Sequence, residues 1–261
     1  MVSTVPLTVG KIVLLGRDYP DYGAVAATAV GSHAAAAISV GADQNSPSKQ
    51  FKYDRTVDNE DACCLMAAPD WVGMAVADAH YGPESSHMLI ERLHTIWSKI
   101  RPTDLDHLAQ MIEFLRNGEP PMTESETTLM VSVYDRATRR GFGISFGDSS
   151  LSIVGPTRSV FPANPHDHQF VSAHRGSLRH GTAFRFEAEP GELLLAYTDG
   201  VDGCHYRRPE TSVQGHHLQD IGRRTGFDAL ATVNEVTSLA LRGVDGNPGG
   251  QDNIVICAAN A

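Results

Sequence analysis

Carboxylates recur in this 261-residue chain where apolar runs meet turn-forming residues. The stretch ELLLAYTDGVDG carries Asp199 at the end of a leucine run, followed directly by Gly200. MAVADAHYG places Asp78 after a second apolar run, with His80 close behind. SFGDSS places Asp148 at a strand end, and GGQDNIVI places Asp252 just before an apolar run. VDNEDACCL places Glu60 and Asp61 ahead of another. A single strand-end aspartate is ordinarily a turn former or a helix cap. Several gathered in one place repel and raise one another's pKa, so a cluster at neutral pH needs cations. Carboxylates, backbone carbonyls and water are the donor set of Mg²⁺ and Mn²⁺, not of zinc. Spacing alone does not bring the segments together, so the fold must.

The elements that would position them are mostly strands. LTVGKIVLLG, AAAAISVGAD, ACCLMAA and WVGMAVADA read as strands in the first third, and AVAATAV with AAAAISV reads as a pair of core strands. In PESSHMLIERLHTIWSKI, residues Leu89, Leu93, Ile96, Trp97 and Ile100 recur at helical spacing, with Pro83 suited to the first helical position. A second helix is expected over Asp104 to Leu115. TTLMVSVYD, GFGISFGD and SLSIVG are strands again, with a hairpin turn at Asp148-Ser149-Ser150. FVSAHRG and ELLLAYT follow as strands, then a helix from about Gly226 to Leu241, a glycine-rich loop GVDGNPGGQ and a last strand NIVICAA. Helices are not interleaved one-for-one with strands, which favours α+β with antiparallel sheets over a doubly wound parallel sheet.

Composition narrows the partners. The net charge is -10 and no basic block interrupts the chain, which argues against a nucleic-acid backbone as partner. Cys63, Cys64, Cys204 and Cys257 form no C-x-x-C pair, so reduced thiols in a cytoplasmic protein are expected. No charged segment followed by an apolar core opens the chain, so no leader is expected. The apolar region Ala24 to Val40 is alanine-rich and interrupted at Gly31-Ser32-His33, so no membrane span is expected either.

Taken in order, NEDA, ADAHYG, FGDSS, YTDGV and QDNI resemble the motifs of the metal-dependent protein phosphatases, the protein phosphatase 2C family, over roughly residues 35–258. PGELLLAYTDGV looks most like the short bacterial regulatory branch, including sporulation-type members. The resemblance implies an α+β fold, a four-layer α-β-β-α sandwich of two antiparallel sheets flanked by helices. It implies one domain over residues 1–261 with a reduced flap around 155–185. The activity implied is hydrolysis of phosphoserine and phosphothreonine in a phosphorylated protein substrate. The implied cofactor is two Mg²⁺ or Mn²⁺ ions, with a third possible, activating a water for attack at phosphorus.

Carried over residue by residue, Asp78 would bridge the two ions. The Ala79 carbonyl and Glu60 would hold one, with Asp61 ordering its waters. Asp199 and Asp252 would hold the other, and Asp148 with Asp199 a third. His80 matches the general acid. Three departures stand out. Ala79 replaces the family's glycine. The family's phosphate-binding arginine falls at Thr56, leaving Arg55 one residue off and Lys52 as a substitute. The short separation of Asp148 and Asp199 trims the flap. The alternative implied by these departures is a phosphatase-like regulatory protein that binds without turning over.

Other chemistries fit less well. GISFG, with Ser145, matches the nucleophile-elbow pattern, but the residues after Gly147 read as turn and strand instead of helix. His166, His168, His174 and His180, or His216 with His217, offer zinc-type ligands in variable-looking segments. Cys63 and Cys64 have apolar neighbours and read as inert thiols. The loop GVDGNPGG lacks the Lys-Ser/Thr ending of a phosphate-binding loop.

Overall fold

The computed structural model describes residues 9–44, 57–116, 125–163, 170–172 and 181–261. In chain order the strands are β1 (Gly10–Leu15), β2 (Ala26–Val30), β3 (Ala34–Ser39), β4 (Ala62–Ala67), β5 (Trp71–Ala77) and β6 (Ala79–His80). Two helices follow, α1 (Glu84–Trp97) and α2 (Leu105–Arg116). Next come β7 (Glu126–Thr127), β8 (Leu129–Asp135), β9 (Arg140–Phe146), β10 (Ser150–Val154), β11 (Ser159–Ala163), β12 (Val171–Ser172), β13 (Thr182–Glu187) and β14 (Leu193–Tyr197). The chain closes with α3 (Asp199–Asp202), α4 (Gly215–Thr225), α5 (Ala229–Arg242) and β15 (Ile254–Asn260).

Two six-stranded antiparallel sheets result. One runs β1-β4-β5-β8-β9-β13 and the other β11-β10-β14-β15-β3-β2. Period-two alternation decides what each strand faces. Cys63 and Leu65 of β4 point between the sheets, where they meet Ile38, Val255 and Cys257, while Cys64 and Met66 face α1 and α2. Leu194 and Ala196 of β14 likewise point inward, and Leu193, Leu195 and Tyr197 face α4 and α5. The layers are therefore helices, sheet, sheet, helices, the four-layer α-β-β-α sandwich implied by the motifs. Burial of each Leu or Ile side chain contributes about 1.5–3 kcal/mol, so the inter-sheet and outer layers are the main source of rigidity.

Strand register places the acidic segments at one edge. Ala62 of β4 pairs with Ala77 of β5, which sets Glu60 and Asp61 beside Asp78. Val76 pairs with Met130, and Leu129 with Phe146, bringing the Asp148 turn to the same edge. In the second sheet Ser150 pairs with Tyr197, and Tyr197 with Ile256, so Asp148, Asp199 and Asp252 share that edge too.

Several details differ from the sequence reading. β2 is a largely exposed edge strand, not a core one, because only β3 pairs with it. Pro83 precedes α1 as its N-cap, and Ile100 lies beyond the helix, 50% exposed. Asp104 caps α2 from outside, accepting from the His107 N–H at 2.8 Å. Ser150 already belongs to β10, so the hairpin turn is Gly147-Asp148-Ser149, with Gly147 at φ 84°. The β11 and β13 strands and the α3 and α4 helices had no counterpart in the sequence reading. Among the described residues no helix is long and apolar enough to cross a membrane.

Candidate functional site

Hydrogen bonds fix the strand ends that carry Asp78, Glu60 and Asp61. The Asp78 N–H donates to Thr128 Oγ1 at 3.0 Å, and its carbonyl accepts from the Thr128 N–H at 2.8 Å and from Thr127 Oγ1 at 2.9 Å. Thr128 Oγ1 lies 2.7 Å from Ser149 Oγ, which ties this strand end to the Asp148 turn. Glu60 and Asp61 are fully buried. The Glu60 N–H donates to Asn253 Oδ1 at 3.1 Å, its carbonyl accepts from Ser86 of α1, and its Oε1 accepts from the Gly82 N–H at 3.0 Å. Asp61 Oδ2 accepts from Thr198 Oγ1 at 2.8 Å, and that hydroxyl accepts from the Val255 N–H at 3.1 Å. Thr198 thus aims Asp61 while joining β14 to β15.

Asp199 follows as the first residue of α3, and Gly200 is required beside it. A Cβ at position 200 would stand 1.7 Å from the Asn253 carbonyl oxygen, so only glycine lets α3 approach β15 this closely. Asn253 is the bracket for that approach: its Nδ2 donates to the carbonyls of Val40 at 3.1 Å and Asp58 at 3.0 Å.

The acids converge on Asp199. Its pKa is raised well above the ordinary carboxylate value, first by desolvation, then by the charges of Asp78, Asp252 and Asp148. Like charges crowded in a poorly solvated site disfavour ionisation of Asp199. The Asp199 residue keeps a partial opening to solvent, while its Oδ1 is enclosed and makes no hydrogen bond. Asp202, one helical turn on, is pushed up to about 7 by desolvation and by Asp148. Among the described residues no group of three or more His, Cys, Asp or Glu side chains stands ready-made around a metal position. The donor chemistry nevertheless fits a hard divalent cation: the raised Asp199 pKa and its orphaned oxygen mark crowded negative charge, and the donors are all oxygens.

Ala79 is fully buried in β6 and pairs with Thr127 of β7. It lies outside the left-handed region, so alanine takes this backbone without strain. Tyr81 does not escape strain: it sits at φ 63°, 43% exposed, directly after His80. His80 is half-buried and packs edge-on against Phe170, ring centroids 4.9 Å apart. Arg55, Thr56 and Lys52 lie outside the described residues, as do His166, His168, His174 and His180.

The rival constellations have structural explanations. Ser145 is buried within β9, and its Oγ donates to the Ser149 carbonyl across a hairpin, with no helix following. His217 caps α4, its Nδ1 accepting from the Gln214 N–H at 2.9 Å, with His216 packed against it. All four cysteines are buried. Sequence reading missed Asp202, Thr198 and Thr128. The DGVD spacing was the available signal for Asp202. The two threonines act through contacts between distant segments, which no local pattern displays.

No protein-family model matches the sequence, and no curated protein matches it. Solved structures do. The catalytic domain of the serine/threonine protein phosphatase PstP, in complex with two manganese ions, aligns at TM-score 0.61 and 16% identity, covering 91% of this chain and 99% of that one. PstP/Ppp of Mycobacterium tuberculosis aligns at TM-score 0.62 and 16% identity, covering 87% and 97%. The phosphatase MsPP from Mycobacterium smegmatis, in complex with cacodylate, aligns at TM-score 0.58 and 16% identity, covering 88% and 99%. At such identity the likeness is one of architecture: the chain has the fold of the bacterial protein phosphatase 2C-type enzymes.

Proposed function

We propose that this protein is a Mg²⁺- or Mn²⁺-dependent phosphatase acting on phosphoserine and phosphothreonine in proteins. The observation that carries this reading is the strand register that gathers Asp78, Asp148, Asp199 and Asp252 at one edge, where their charges raise the Asp199 pKa. In this reading Asp78 would be shared by two ions. The Ala79 carbonyl and Glu60 would hold one, with Asp61 ordering its waters. Asp199 and Asp252 would hold the other, and Asp148 with Asp199 could accommodate a third. When bound, the ion pair supplies Lewis acidity at phosphorus and lowers the pKa of a water. The whole chain acts as one phosphatase domain with a reduced flap around 155–185.

The remaining work falls to the chain itself. His80, half-exposed beside Phe170, donates a proton to the leaving serine or threonine oxygen. Arg55 is the candidate phosphate ligand. No covalent phosphoenzyme is needed, consistent with the burial of every cysteine and of Ser145.

The test is hydrolysis of an aryl phosphate by chelator-stripped protein, with and without Mn²⁺, beside Asp78→Asn. Metal-dependent turnover that the variant loses is the expected result. Inactivity of folded protein with every divalent metal tried would refute the proposal. His80→Ala is expected to slow alkyl phosphates by about 100-fold or more, the scale of general-acid catalysis, and aryl phosphates far less. Equal losses on both would remove His80 from that role.

A further inference from the structure

The loop leaving α3 carries the sequence Cys204-His205-Tyr206-Arg207-Arg208. Its root is braced against the segment that bears Asp252. The Tyr206 N–H donates to Gln251 Oε1 at 3.0 Å, and the Gln251 N–H donates to the Cys204 carbonyl at 3.2 Å. Cys204 is fully buried, and the His205 N–H donates to Ser212 Oγ at 2.9 Å, so the loop is fixed from two sides. This anchored backbone presents Tyr206 at 48% exposure, with Arg207 and Arg208 also exposed. Arg208 reaches Glu210 Oε1 at 3.4 Å. Arg207 makes no ion pair among the described residues.

An exposed arginine is usually only a solvated surface group. What sets Arg207 apart is its position on a loop hydrogen-bonded in both directions to the residue before Asp252. The chain carries a net charge of -10 and its candidate site is acidic, so an anionic substrate meets repulsion over most of the approach. An exposed guanidinium carried on this anchored backbone is where such a substrate gains attraction. Guanidinium recognises a carboxylate in a two-pronged geometry, and an exposed tyrosine ring offers a rigid platform for peptide backbone and aliphatic carbon.

We propose that Tyr206 and Arg207 form a substrate rim that selects phosphosites carrying an acidic residue beside the phosphorylated side chain. This rests on the phosphatase reading above and names its substrate class.

The experiment compares two phosphoserine peptides, identical except for glutamates or lysines flanking the phosphoserine, with wild-type protein and Arg207→Glu in Mn²⁺. The wild type should favour the glutamate peptide in kcat/KM by about tenfold, the scale of one charge-assisted hydrogen bond, and Arg207→Glu should reverse the order. Tyr206→Ala should raise KM for both peptides. A discrimination ratio unchanged by Arg207→Glu overturns the proposal. A second readout is free of turnover: fluorescence anisotropy of the glutamate peptide bearing a non-hydrolysable phosphonate. Tight binding that Arg207→Glu weakens supports the rim even if no phosphate ester is hydrolysed, in which case the phosphatase reading alone falls. Binding indifferent to Arg207 overturns the rim whatever the activity.

Discussion

Strand β14 is flanked by an acid on each side, buried Glu192 just before it and partly open Asp199 just past it, and the two are treated in opposite ways. Glu192, 5% exposed, receives a two-pronged grip from Arg158, whose Nε and a terminal nitrogen both stand 2.6 Å from its oxygens, and a third bond from the Glu189 N–H at 2.8 Å. Arg158 first, and the Glu189 N–H with it, hold the Glu192 pKa below its ordinary value. Asp199, past the other end, is surrounded by Asp78, Asp252 and Asp148, and its pKa is raised. Both acids flank the same rigid strand, so the difference lies in the charges set around each. Where the acid is structural, the sequence supplies its own cation. At the Asp199 end it supplies further acids, an arrangement that stability alone does not favour and that the proposed cation site would account for.

That contrast can be broken by exchanging charge at each end. The largest effect is expected from Asp199→Asn. It should lower Mn²⁺-dependent phosphatase activity by more than about 100-fold, since even outer-shell partners of metal sites reach that scale. It should also raise the melting temperature of the metal-free protein, because one member of a repelling cluster has gone, and abolish the stabilisation that Mn²⁺ gives the wild type. Persistence of Mn²⁺ stabilisation in this variant would show that the acidic end is not a cation site.

Next in size is Thr198→Val. It keeps the side-chain shape but removes the hydroxyl that donates to Asp61 Oδ2 and accepts from the Val255 N–H. Mn²⁺ affinity, read from the concentration dependence of activity or of melting temperature, should weaken about 10- to 100-fold. An unchanged affinity would mean that Asp61 needs no aiming.

The sequence made the acidic end legible and the Glu192 end invisible, for physical reasons. Asp78, Asp199 and Asp252 each abut an apolar run, so local pattern identified them, and the order of the motifs suggested the sandwich. The short apolar runs in ACCLMAA and ELLLAYT were enough to place β4 and β14. Arg158 and Glu192 are separated by 34 residues and meet only through the β10–β14 pairing, which no local pattern encodes. The α4 helix was missed because GHHLQDIGRRT carries glycine and few apolar residues, its stability coming from Leu218 and Ile221 packed on the sheet. TAFRFE alternates as a strand should, yet its glycine-flanked, charged context hid β13.

The smallest effect concerns the paired end, and its pH dependence has a defined sign. A carboxylate whose folded pKa is depressed contributes stability that is fully present above its unfolded value, here 4.5, and lost as pH falls through the folded pKa. Glu192→Gln should therefore cost about 2 kcal/mol at neutral pH, within the range for hydrogen bonds to charged groups, and progressively less below about pH 4.5. The acidic end behaves in reverse when metal is withheld. Asp202, raised to about 7, favours the folded state when protonated, so metal-free protein should lose stability as pH climbs from about 4 to 7. Because the two ends share no partners, their contributions should add. Adding Mn²⁺ should shift wild type and Glu192→Gln upward by the same amount at pH 7, leaving the gap between their melting temperatures intact. A gap that closes on metal addition would mean that the ends of β14 are coupled through the strand, and that the arginine fork helps to set the acidic edge.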